Sequence, residues 1–193
     1  MKKIMFNDRY GLMQAVLEGR KTMTRRIIPL TDTDREYLET AFDFDLRASV
    51  IIDDYSRYRV GEEVAVAQSY KSIEKEIQKQ GLPLDVKDEY RKAKGFDNKM
   101  FVRADAMPHR IRITNIKMER FQDISEEDCF REGIVKTDCV APYVFPVGNW
   151  KWKNYRTPQD AFAALIDRIS GKGTWNRNPW VFAYEFELIN KED

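Results

Sequence analysis

Residues 19–26 read Gly-Arg-Lys-Thr-Met-Thr-Arg-Arg, four cations around two hydroxyls. Arg20, Lys21, Arg25 and Arg26 can hold a phosphate or another anion through charge-assisted hydrogen bonds. Crowded cations disfavour a further positive charge, so Lys21 is expected to lose its proton more readily than an isolated lysine. A lysine neutral near pH 7 can take the proton of a threonine hydroxyl, and Lys21 with Thr24 supplies the residue types that nucleophilic catalysis needs. A solvated basic turn has the same composition, and the residues alone leave that reading open. Lys21 and Thr24 are three positions apart, so on an extended strand they face opposite ways. The segment must turn or bulge there for both to meet one substrate.

Two further stretches carry cations. Trp150-Lys151-Trp152-Lys153-Asn154-Tyr155-Arg156 interleaves them with aromatics, so Trp150 and Trp152 can stack on bases while the cations hold phosphates. The same aromatics also suit partly buried loop anchors. Arg103, His109, Arg110 and Arg112 form the second stretch; Arg110 is a candidate for the cleft of Lys21, and charge protecting a strand edge explains it equally well. His109 alone reads as structural. Cys129 and Cys139 have no metal-ligand spacing, and with a single histidine they build no tetrahedral zinc site without carboxylates. The expectation is a cytoplasmic chain with reduced, inert thiols and with neither metal nor cofactor.

The elements that position these residues follow from periodicity. A short strand at 3–6 leads to a helix capped by Asn7 or Asp8, carrying Tyr10, Met13, Val16 and Leu17 and stopped by Gly19. Residues 31–48 are acidic and resist assignment. The stretches 49–58 and 59–70 read as β-rich. Residues 71–99 read as a mobile insertion with one helix near 72–80. Ile111 and Ile113 share one phase, Ile116 and Met118 the other, which predicts a β-bulge near Asn115. Ser125-Glu126-Glu127-Asp128 opens a short helix that ends at Glu132, with Gly133 beyond. A carboxylate at that end opposes the helix dipole by roughly 0.3–1 kcal/mol; Glu132 therefore calls for a partner, such as Lys21 or an arginine of the basic turn. Thr157-Pro158-Gln159-Asp160 opens a second helix, and residues 180–189 alternate as a core strand.

With 193 residues and 22.8 kDa, the chain is read as a single domain with insertions at about 31–48 and 71–99. Hydrophobic residues at 42% suffice for a core. Lys and Arg number 33 against 32 Asp and Glu, a balance that argues against wrapping duplex DNA. The absence of a long apolar run argues against a membrane helix, and the first ten residues lack the pattern of a signal peptide. The fold expected is α+β, mostly β: a small, mostly antiparallel barrel with peripheral short helices. A doubly wound α/β sheet is the weaker alternative.

At the level of motifs the sequence resembles ASCH domains, small PUA-like β-barrels related to RNA-binding modules, and in particular a phage-associated subgroup. Gly19-x-Lys21-x-x-Thr24-x-Arg26 is similar to the G-x-K-x-x-T-x-R signature, and Val60-Gly61-Glu62-Glu63-Val64 to the turn before a central strand. Residues 112–134 resemble the strand-plus-helix segment ending in Glu-Gly, and residues 160–188 the closing helix and strand. The enzymatic branch of that family hydrolyses the acetyl amide of N4-acetylcytidine without a metal. The resemblance implies Lys21 as the activating base, Thr24 as the nucleophile, Glu132 as the orienting or proton-exchanging acid, and Arg26 as a phosphate or oxyanion ligand. One departure stands out: Ala67-Gln68-Ser69-Tyr70 places Gln68 where the subgroup carries an acid, and a carboxamide can bind a base edge but moves no proton. Three readings follow: an amidohydrolase acting on RNA or a modified nucleoside, a non-enzymatic RNA-binding module, and a phage accessory protein with an unknown protein partner.

Overall fold

The computed structural model describes residues 1–40, 42–79, 81, 91–145 and 153–189. Trp150 and Trp152 lie outside them. The chain divides into two compact units, Met1–Phe6 with Glu63–Arg112 and Leu188–Asp193, and Asn7–Glu62 with Ile113–Glu187.

In the first unit β1 (Lys3–Ile4) runs parallel to β3 (Glu63–Val66), with Lys3 opposite Ala65 and Ile4 opposite Val66. The other edge of β3 meets the start of β4 (Arg110–Arg120) in antiparallel register, from Glu63 opposite Arg112 to Ala65 opposite Arg110. Ala65 and Ala67 pack with Val102 and Met107, and Tyr70 closes over them. That ring explains Gly95, where a Cβ would come within 2.7 Å of the Tyr70 ring. Helix α4 (Tyr70–Lys79) lies within two residues of its expected start. Two lysines tie the first strand down: Lys3 Nζ donates to the carbonyls of Met100 and Val102 at 2.6 and 2.8 Å, and Lys99 Nζ to that of Phe6 at 2.6 Å.

The second unit holds most of the helices. A 3-10 turn at Asp8–Tyr10, capped by Asn7, precedes α1 (Leu12–Leu17), so the expected first helix is present but split. Next come β2 (Met23–Ile27), α2 (Asp32–Glu39) and α3 (Phe44–Tyr55). The unassigned acidic stretch is thus helical. Two of its acids are caps: the Thr31 hydroxyl and Asp34 carboxylate form a capping box, and Asp43 accepts from the Leu46 amide at 3.1 Å. The strand expected at 49–58 is the body of α3. Val50, Ile51 and Ile52 favour a strand locally, but the Asp43 cap and the three-residue spacing of buried Ala48 and Ile51 override that preference.

Beyond β4 follow α5 (Glu126–Arg131), the ribbon β5 (Val135–Lys136) and β6 (Tyr143–Val144), then α6 (Pro158–Ser170), α7 (Thr174–Arg177) and β7 (Trp180–Ile189). Burial along β4 changes phase between Ile113 and Met118, as expected, and the Asn115 carboxamide accepts from the Ile116 amide at the change. Helix α7 has no sequence expectation. It is held by Asp167, which accepts from the amides of Gly173 and Trp175 at 3.0 and 2.9 Å. The core strand β7 is buried on both faces at Val181–Tyr184, not on one.

The strands join in the order β1-β3-β4-β7-β2, and β5 with β6 forms a separate pair. This is a mixed α+β architecture with a five-stranded sheet that is open, which corrects the expected barrel. Closure is lost for two reasons: the additional strand expected at 49–58 is a helix, and β1 contributes only two residues. Among the described residues no helix is long and apolar enough to cross a membrane.

Cys129 on α5 is fully buried, and burial pushes its thiol up to about 12; Cys139 is exposed. A thiol reagent at pH 8 is expected to label Cys139 at once and Cys129 only at the unfolding rate. Two equally fast thiols in the folded chain would contradict this.

Candidate functional site

The basic turn is stitched into the second unit before its side chains do anything. After Gly19 (φ 72°) the Lys21 amide donates to Ala15, the Thr22 amide to the Arg131 carbonyl at 3.0 Å, and the Phe186 amide to the Thr22 carbonyl at 2.9 Å. Residues 21–22 therefore lie between α5 and β7, which turns the Lys21 side chain inward. Lys21 is 2% exposed, and its Nζ donates to the Met23 carbonyl at 2.8 Å, the Glu132 carbonyl at 2.8 Å and Glu132 Oε2 at 2.5 Å. Gly133 (φ 106°) makes room, since a Cβ there would meet Leu12 at 3.2 Å and the Lys21 Cδ at 3.8 Å. Glu132 is the C-cap of α5 and 4% exposed. Its carboxylate meets the negative end of the helix dipole, and the ammonium offsets that.

Burial of the ammonium pulls Lys21 below the ordinary lysine value, against the charge and hydrogen bond of Glu132 and with help from Arg26 and Arg25. The expected direction is present, but the largest cause is desolvation rather than neighbouring cations.

Arg25, expected among the anion-binding residues, has a side chain with no exposed surface. Its Nε donates to Glu119 Oε1 at 2.6 Å, Nη2 to Asp128 Oδ2 at 2.8 Å and Nη1 to Glu132 Oε1 at 3.2 Å. Its guanidinium therefore faces three carboxylates of its own chain instead of an anion from solvent. Burial alone would lower Arg25, but Glu132, Glu119 and Asp128 outweigh it and hold it above the ordinary value. Around this centre Lys117 reaches Glu119 at 3.0 Å and Asp128 at 3.3 Å, while Arg131 reaches Asp128 at 3.4 Å and Glu185 at 2.6 Å. Burial would raise Asp128, yet the hydrogen bond and charge of Arg25, with Lys117, bring it below the usual carboxylate range.

Thr24 is 3% exposed and sits on β2 opposite Tyr184, in a register that runs regularly from Met23–Glu185 to Ile27–Val181. It faces away from Met23 and Arg25 and shares its side of the strand with Arg26. The turn needed between Lys21 and Thr24 therefore falls at residues 21–22, ahead of the strand, and the Lys21 side chain reaches forward along it to Met23. Of the three proposed catalytic residues, Lys21 and Glu132 are in direct contact. Burial lowers Arg26, opposed by the charge of Glu132 and by Tyr58 and Tyr184. Those two rings meet edge-to-face at 5.2 Å, and the Ser56 hydroxyl lies 3.0 Å from the Tyr184 hydroxyl.

The remaining candidates differ in setting. Arg20 is exposed and paired with Glu18 through Nε and Nη2 at 2.8 and 2.6 Å. Gln68 and Arg110 belong to the first unit. Gln68 is 1% exposed and donates to Glu76 Oε2 at 2.9 Å, its Oε1 has no partner among the described residues, and the other Glu76 oxygen meets His109 Nε2. Arg110 lies 3.8 Å from Glu63 through Nη1, and its buried Nε has no partner among the described residues. Sequence reasoning missed Glu119, Asp128 and Lys117 around Arg25, and the Tyr58–Tyr184 pair beside Arg26. Among the described residues no group of three or more His, Cys, Asp or Glu side chains is placed to hold a metal ion. The nearest such set, Glu119, Asp128 and Glu132, surrounds Arg25 instead.

No protein-family model and no curated protein sequence matches this chain. Two solved structures are similar to it. One is a protein from Enterococcus faecalis V583 described under the family model DUF984, 13% identical over 98% of this chain and 80% of that one, with a TM-score of 0.42. The other is an ASCH domain from Lactobacillus crispatus JV V101, 11% identical over 95% of this chain and 75% of that one, with a TM-score of 0.42.

Proposed function

We propose that this chain is an ASCH-type, PUA-like protein of RNA or modified-nucleoside binding, and that it hydrolyses the acetyl amide of N4-acetylcytidine-like substrates. The observation that carries the reading is the Lys21–Glu132 pair, an ammonium and a carboxylate 2.5 Å apart with side chains 1% and 6% exposed. A buried ion pair contributes little to stability, because desolvation offsets its attraction. A buried lysine whose proton affinity is lowered, held against a carboxylate, is instead a candidate for moving protons. In this reading Lys21 first passes its ammonium proton to Glu132, and the neutral amine then takes the Thr24 hydroxyl proton as Oγ1 bonds to the acyl carbon. That step requires the Thr24 hydroxyl to come within reach of Nζ when substrate is bound. The C–N bond then breaks, the proton passes through Lys21 and Glu132 to the departing amine, and water hydrolyses the acyl-threonine to release acetate. In this reading Arg26, with the Tyr58 and Tyr184 rings beside it, would hold the oxyanion or a phosphate.

Incubation with N4-acetylcytidine tests this. The parent is expected to release cytidine and acetate, and Lys21→Ala to lose the activity by about 10²–10⁴-fold, the range of a general base. A parent without deacylation, or a Lys21→Ala variant as fast as the parent, overturns the reading.

A further inference from the structure

Glu132 presents its two carboxylate oxygens to different cations: Oε2 to Lys21 Nζ at 2.5 Å and Oε1 to Arg25 Nη1 at 3.2 Å. How much negative charge the lysine meets therefore depends on how firmly Arg25 holds the other oxygen. The guanidinium is anchored on its remaining edges, by Glu119 through Nε and by Asp128 through Nη2, and Nη1 also contacts the Met23 sulfur at 3.1 Å. A planar fork fixed at three points has one orientation, and with it the carboxylate plane of Glu132 is set. We infer that Arg25 is a positioning residue, which holds Glu132 Oε1, aims Oε2 at Lys21, and so sets the proton affinity of that lysine.

The inference rests on the catalytic reading above for its meaning, though its geometry stands apart from it. Arg25 acts on Lys21 in two ways of the same sign. Its charge repels the ammonium directly, and its hydrogen bond draws carboxylate charge away from it. Other ionisable groups surround the pair on three strands and one helix. Arg26 lies on β2 with Arg25; Asp128, Arg131 and Glu132 belong to α5 or its cap; Lys117 and Glu119 lie on β4, and Glu185 and Tyr184 on β7. Tyr58 completes the set beside Arg26, and Cys129 lies near Arg25. Among these, Glu119 reports on Arg25 without touching the Lys21–Glu132 contact. Replacing it by Gln keeps an acceptor for Nε but removes a charge that competes with Glu132 for the guanidinium.

The two substitutions thus displace Lys21 in opposite directions. The full-length chain, labelled with [13C]lysine and assigned by the signal missing in Lys21→Met, is titrated by NMR at the Lys21 Cε, with circular dichroism as the check on folding. Arg25→Met is expected to raise the Lys21 midpoint by about one pH unit or more, Arg25→Lys to stay close to the parent, and Glu119→Gln to lower it. An Arg25→Met midpoint that is unmoved or lowered overturns the inference. If Arg25→Met does not fold, Glu119→Gln decides: a lowered midpoint supports the assignment and an unmoved or raised one overturns it. A purely structural role gives no reason for shifts of opposite sign. The titration needs no turnover, so it is separate from the catalytic reading. If the parent deacylates its substrate and its acid limb ignores a displaced Lys21 midpoint, the catalytic role of Lys21 fails while the positioning role of Arg25 stands.

Discussion

On the proposed function, Glu132→Gln is expected to slow N4-acetylcytidine hydrolysis by about 10²–10⁴-fold while the chain stays folded. The substitution keeps the volume, and the carboxamide oxygen still accepts from Lys21. What disappears is a group that can receive and return a proton, together with the charge that draws one cation on each side. At 1.36 kcal/mol per factor of ten the loss corresponds to about 3–5 kcal/mol of barrier. Arg25 then faces a neutral amide at the 3.2 Å contact and keeps Glu119 and Asp128 as partners, which is why the fold survives. Steady-state rates with matched circular dichroism check this. A Glu132→Gln enzyme within tenfold of its parent would remove Glu132 from the proton path.

Glu132→Leu is expected to cost about 3–5 kcal/mol of stability near neutral pH, because it leaves a buried ammonium without its counter-charge. The carbonyls of residues 23 and 132 still accept from Lys21, but neither carries a formal charge. The penalty depends on pH with a definite sign. The folded Lys21 already binds its proton more weakly than the ordinary lysine value of about 10.4, and losing Glu132 weakens it further. Between the folded and unfolded values the unfolded chain carries more protons, so stability rises with pH across that window. The deficit of Glu132→Leu against the parent should therefore shrink as the solution rises from neutral pH into the alkaline range. Adding Lys21→Met to Glu132→Leu should restore most of the loss at neutral pH, as buried pairs replaced by apolar side chains often do. Urea unfolding of the four chains across pH measures it. A double variant as unstable as Glu132→Leu would show that the pair stabilises the fold in its own right.

Much of the framework could be read from residue patterns. The helix starts at Ser125 and Thr157 carry their caps in the sequence, and the structure shows both side chains accepting from the third residue on. Glu132 could be singled out because a carboxylate at a helix end needs a cation, and the structure supplies two. The segments misread were those where local preference and tertiary context disagree. Val50, Ile51 and Ile52 suggest a strand, but Asp43 and the buried face of α3 make a helix, and the barrel loses a stave. Arg25 was misplaced for a related reason. A cation in a basic turn looks solvated until the sheet register is known, and only then does Arg25 lie on the inward side, facing Glu119 and Asp128 from β4 and α5. Those partners are about a hundred residues away in sequence, and no local pattern announces them.

The contact between Lys21 and Glu132 also spans 111 residues. On a ribosome, Lys21 is made long before its carboxylate partner, and domains form as units once their segments have emerged. For that interval Lys21 is an ordinary, hydrated, fully charged lysine, and Arg25 is equally plain. Neither half of the chain holds a rudimentary version of the site that the other half improves. The pair cannot form before residue 132 is made, so a truncated product that ends before α5 carries Lys21 and Arg25 without the partners that alter their chemistry.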